Sequence, residues 1–74
     1  MFITKQQIKK ENVKKYYMLI DGVNDDIIAR FTDLNDVKKI AREYDEDCDG
    51  EWDPVLLLKD RENGTIEYIE DWSY

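Results

Sequence analysis

The sequence predicts an α+β fold: a small ββαββ antiparallel sheet with one helix packed on one face and a basic N-terminal arm. Three observations carry that expectation. The stretch "FTDLNDVKKIAREYDED" repeats apolar residues at helical spacing. Two β-friendly runs precede it and two follow it. Turn-forming residues separate the runs within each pair, so the strands form hairpins, and the sheet needs a helix to cover its apolar side.

Residues 1–15 read as the arm and residues 16–74 as a single domain. In the arm, "TKQQIKKENVKK" is rich in good helix formers, and Thr4 can cap a short helix. Ile8 and Val13 fall ~140° apart on a helical wheel, so no apolar stripe emerges, and Phe2 and Ile3 are candidate anchors for the start.

The first strand is "YYMLI", residues 16–20, and the second is "DIIARF", residues 26–31, joined through "DGVND". The helix spans 33–44: Leu34, Val37, Ile40, Ala41 and Tyr44 share a face, and Thr32 or Asp33 caps the exposed amides. "PVLLLKD", residues 54–60, is a continuous apolar run that suits an inner strand. "TIEYIEDW", residues 65–72, completes the sheet, with Asn63-Gly64 supplying positive-φ positions to the hairpin. Residues expected on the uncovered face are Met18, Ile28, Arg30, Leu56, Leu58 and Ile69, with the register left open.

Charge is unevenly distributed along the chain. Residues 1–20 hold five lysines against Glu11, a balance of +4, whereas residues 21–74 hold six bases against seventeen acids, a balance of −11. Such asymmetry marks an interaction surface or a basic arm laid against an acidic body. Without histidine, a phosphate-cradling glycine loop or a zinc-ligand pattern, the sequence argues against an enzyme. The lysines beside Tyr16 and Tyr17 suit a nucleic acid, but the acidic body repels one. The lone Cys48 and the lack of a leader or long apolar run point to a reducing cytoplasm.

The stretch "YDEDCDGEWDP" carries the candidate site. Asp45, Asp47, Asp49 and Gly50 match positions 1, 3, 5 and 6 of an EF-hand calcium loop, and Asp53 stands at position 9. The bidentate glutamate of position 12 is replaced by Leu56, so the resemblance covers a motif and not a family. A weak calcium site on Asp45, Asp47, Asp49 and Asp53 is therefore the alternative expectation; no other cofactor is expected.

The leading expectation is a protein-binding surface. In an extended segment, alternate side chains lie ~6.6 Å apart on one side. Asp45, Asp47, Asp49, Glu51 and Asp53 then form an acidic row with Trp52 as its aromatic anchor. Such a row suits the basic groove of a nucleic-acid-binding enzyme, as in small acidic phage inhibitors of restriction and CRISPR systems, which do this in unrelated folds. A structural homodimer is a further option; neither membrane nor direct nucleic-acid partners are expected.

Overall fold

The computed structural model describes residues 3–70 and 72–74, without the Lys5 side chain. Its elements are α1 (Lys5–Lys10), β1 (Lys15–Asp21), β2 (Asp26–Phe31), α2 (Leu34–Asp47), β3 (Pro54–Asp60) and β4 (Thr65–Ile69). The strands form one antiparallel sheet in the order β2-β1-β3-β4, and α2 covers one face. This is the α+β architecture that the apolar patterning predicts.

Helix α2 starts where its chemistry allows. The Asp33 carboxylate accepts from the Asn35 amide at 2.8 Å and caps the first turn. Its apolar face (Leu34, Val37, Ile40, Ala41, Tyr44) then packs on Leu19, Ala29, Phe31 and Leu56. Leu19, Phe31, Val37 and Leu56 are fully buried, each contributing on the order of 2 kcal/mol through removal of apolar surface from water.

Register fixes what alternation alone cannot. Tyr17, Leu19, Leu56 and Ile69 turn toward α2, while Met18 and Leu57, paired across β1 and β3, turn to the other face. Of the residues expected on the uncovered face, Leu56, Ile28 and Ile69 belong instead to the α2 core. Leu58, level with Tyr17 and two residues from Leu56, shares that side. The run "VLLL" is apolar at every position, so its pattern holds no record of which side faces the helix. In β2, the register shift opposite Leu19 and Ile20 leaves Ile28 without a partner and sends its side chain to the core.

The N-terminal arm lies against this second face. Thr4 and Gln7 form a reciprocal capping box for α1, and Ile8 is buried. The Ile3 amide donates to Arg30 O at 2.9 Å, which covers part of the outer edge of β2. Arg61 pins the far end of the arm, its Nη1 donating to Ile8 O at 2.8 Å and Val13 O at 2.9 Å. The helix stops at Lys10, and Asn12 takes a left-handed φ of 54°, so Val13 is off the wheel that separated it from Ile8. Phe2 lies outside the described residues.

The hairpin joining β3 and β4 is longer than the Asn63-Gly64 signal implies. Only Gly64 has positive φ, 68°, and the Asp60 carboxylate accepts from the Glu62 and Asn63 amides to shape a loop over residues 61–64. Strand β4 also ends at Ile69 and not at residue 72.

Candidate functional site: an acidic pole

The strands and helix converge at one end of the sheet. Asp21, at the end of β1, lies between Asp26 at the start of β2 and Pro54 at the start of β3. Helix α2 runs back from the end of β2 and finishes at this same end, and β4 leaves it there. The Gly22 amide donates to Asp53 O at 2.7 Å, tying the β1–β2 turn to the acidic loop. Antiparallel topology thus gathers acids that are distant in sequence.

Exposed at this pole are Asp25, Asp26, Glu46, Asp47, Asp49, Glu51, Asp53 and Glu70. Residues 20–26, 43–58 and 69–74 contain no lysine or arginine. Among the described residues, no ion pair engages Glu46, Asp47, Asp49, Glu51 or Asp53. The basic residues Lys14, Lys15 and Arg61 lie at the opposite end of β1 and β3, where Lys15 approaches Asp60 at 3.9 Å. The basic residues at that end are therefore separated in space from the acidic pole, while Lys38 of α2 shares a surface cavity with Glu70, Trp72 and Ser73.

The acidic stretch is not an extended row. Helix α2 continues beyond residue 44 to Asp47, so Asp45 and Asp47 stand in its last turn. They are separated by ~200° around the helix axis instead of sharing a side. A Schellman turn follows: the Gly50 amide donates to Asp45 O at 2.9 Å and the Asp49 amide to Glu46 O at 3.4 Å. Asp49 has φ 53° and Gly50 φ 76°, so the motif that matches the start of a calcium loop closes a helix. Gly50 meets the demand for positive φ without steric cost; Asp49 does not.

Asp45 and Trp52 have structural partners. The Trp52 indole is buried and donates through Nε1 to Asp45 Oδ1 at 2.9 Å. The Tyr74 hydroxyl donates to the same oxygen at 3.1 Å. Trp52 meets Tyr44 edge to face, with ring centroids 4.7 Å apart, and Tyr74 lies between Trp52 and Trp72. The ring expected to anchor a partner is thus part of the core that supports the pole. Its presence between acids is a poor guide to exposure, because an amphipathic indole also buries well when its N–H finds an acceptor.

Asp21 is a site residue that the sequence does not single out. It is 4% exposed, and its carboxylate accepts from the Tyr44 hydroxyl at 3.0 Å and the Val23 amide at 3.0 Å. The hydrogen bond to Asp21, reinforced by burial, pushes the Tyr44 pKa up to about 12. Burial first, and then the bond to Asp45, raises the Tyr74 pKa as well.

Among the described residues, no group of three or more His, Cys, Asp or Glu side chains is gathered as a metal would require. Asp45, Asp47, Asp49 and Asp53, expected together in the calcium alternative, are spread over a helix end and the loop after it. No helix among the described residues is long and apolar enough to cross a membrane. Compared with protein-family models, curated proteins and solved structures, the chain has no match in any of the three.

Proposed function

We propose that this chain is a small acidic binding protein whose acidic pole docks on a basic groove of a nucleic-acid-handling protein. One observation carries the reading: the pole is charged against the interests of its own fold. The C-terminal end of a helix bears partial negative charge and favours cations, yet the last turn of α2 holds Glu46 and Asp47 beside the Asp45 that fastens Trp52 and Tyr74, with no basic residue. Asp49 then occupies a left-handed position that glycine fills more easily. Local rules broken together at one surface point to a role outside folding.

The contact residues are Asp47, Asp49, Glu51 and Asp53, with Glu46 added by the fold. Asp45 and Trp52 hold the platform. Clustered carboxylates of this kind mimic the charge of a phosphate backbone and steer association with a basic groove. The biological reading is an inhibitor of the phage or mobile-element kind, anti-restriction or anti-CRISPR-like, acting in the cytoplasm by occupancy and not by catalysis. The free thiol of Cys48 supports a reducing compartment.

Competition tests this directly. Binding to a panel of restriction and CRISPR nucleases is measured with and without duplex DNA. A nucleic-acid mimic is displaced by the DNA and weakens as salt rises. Binding indifferent to both overturns the reading.

A further inference from the structure

We infer that β4 is a receiving edge for an extended basic segment of the partner, which adds to the sheet as a further strand. This rests on the docking reading for the partner's charge, but on a different surface for its geometry. The two edges of the sheet are treated differently. The outer side of β2 is met by the Ile3 amide on Arg30 O. Strand β4 ends the sheet at the other side, and among the described residues no backbone group is bonded to its outer edge.

An uncovered edge is ordinarily blunted by short length, charged side chains, proline, a bulge or a covering loop. Strand β4 is five residues long and carries one charge, Glu67, but has no proline, lysine or bulge. "TIEYI" is regular in register and made mostly of strong strand formers, so its one guard is a negative charge that a basic strand satisfies. Ile66 and Tyr68, opposite Lys59 and Leu57 on the face away from α2, are each 56% exposed. Glu67 points to the other side, also exposed. An added strand with apolar side chains on one side and lysine or arginine on the other meets both requirements through main-chain bonds and alternate pockets.

Charge argues against a second copy in that place. A twofold axis at the middle of β4 sets Glu67 against itself. Moving the axis to Tyr68 sets Ile66 against Glu70, and moving it to Ile66 runs Tyr68 off onto Gly64. Both chains also carry net charge −7. A basic segment meets the same edge with attraction, and β4 leads it toward the acidic pole, since Glu70 leaves at that end.

The test uses the full chain, isotope-labelled, titrated with the synthetic peptide acetyl-KVKIKVK-amide. The expected result is chemical-shift change and slowed hydrogen exchange at β4 amides. N-methylation of alternate peptide bonds should weaken binding at least about tenfold, because the charge stays while main-chain bonding is lost. Glu67→Lys should weaken binding by a similar factor, about tenfold, and a glutamate-for-lysine peptide should recover it. Three results overturn the inference: no change at β4, changes confined to the acidic pole that survive N-methylation, or protection of β4 through dimerisation without peptide. The second leaves acidic docking standing. Loss of DNA competition with β4 still responding removes the nucleic-acid-mimic reading and keeps the edge.

Discussion

The indole N–H of Trp52 donates to Oδ1 of Asp45 at 2.9 Å, joining the last turn of α2 to the loop that enters β3. Tyr74 uses the same oxygen, so one carboxylate fastens both the loop and the C-terminal tail. Asp45→Ala leaves the buried Trp52 donor unpaired and should cost about 1–3 kcal/mol. Asp47→Ala, exposed on the same turn, should change stability by less than about 0.5 kcal/mol, or raise it by easing the helix end. Urea denaturation of both variants separates these outcomes. Equal losses would remove Asp45 from its fastening role.

Adjacent leucines of β3 provide a test of register. Leu56 is fully buried under α2, whereas Leu57 is half-buried on the second face beside Met18 and Tyr68. Leu56→Ala should cost about 2–5 kcal/mol, and Leu57→Ala no more than about half of that. The reverse order, read from denaturation curves, would mean that the sheet presents its other face to the helix.

How far the sequence foretells this molecule depends on whether a pattern is one-sided. The face of α2 is legible because polar residues interrupt its apolar ones, and all five of the residues so identified meet the core. "VLLL" has no polar face, and the bulge at Ile28 breaks the alternation of β2, so the uncovered face is only partly legible. At the site, the acids are plain in the sequence but their geometry is not. Asp-x-Asp-x-Asp-Gly matches the start of a calcium loop, yet here it closes a helix, with Asp49 in the left-handed position of the Schellman turn and Gly50 taking the next positive φ. The contribution of Asp21, Asp25 and Asp26 to the pole depends on strand pairing across the sheet, which no local pattern reports.

Alkaline pH should act through Tyr44. Its hydroxyl bonds to Asp21, and its pKa is raised to about 12 from an ordinary value of 10.0. A raised folded-state pKa stabilises fully below the unfolded value and loses that stabilisation as pH climbs through the folded value. Stability should therefore decline between about pH 10 and about pH 12. Thermal melts across that window should show a shallower decline for Tyr44→Phe. Identical slopes would show that the Tyr44–Asp21 bond does not persist in solution.

The acidic pole makes the sharpest demand, because stability and binding should move in opposite directions. Glu46 and Asp47 face the negative end of the α2 dipole, and removing one such charge is worth about 0.3–1 kcal/mol. Asp49→Gly relieves a left-handed φ of 53° and should add on the order of 1 kcal/mol. The combined variant Glu46→Gln, Asp47→Asn, Asp49→Gly should thus be about 1–3 kcal/mol more stable than the parent chain. Asp45 is left intact, so the Trp52 and Tyr74 bonds survive. The same variant should associate more slowly with a basic partner and show a weaker dependence on salt, while its dissociation rate changes little. A gain in stability with unchanged association would reduce the pole to a solvated helix end. Slower association without the gain would show that the charges are useful to binding but never opposed the fold.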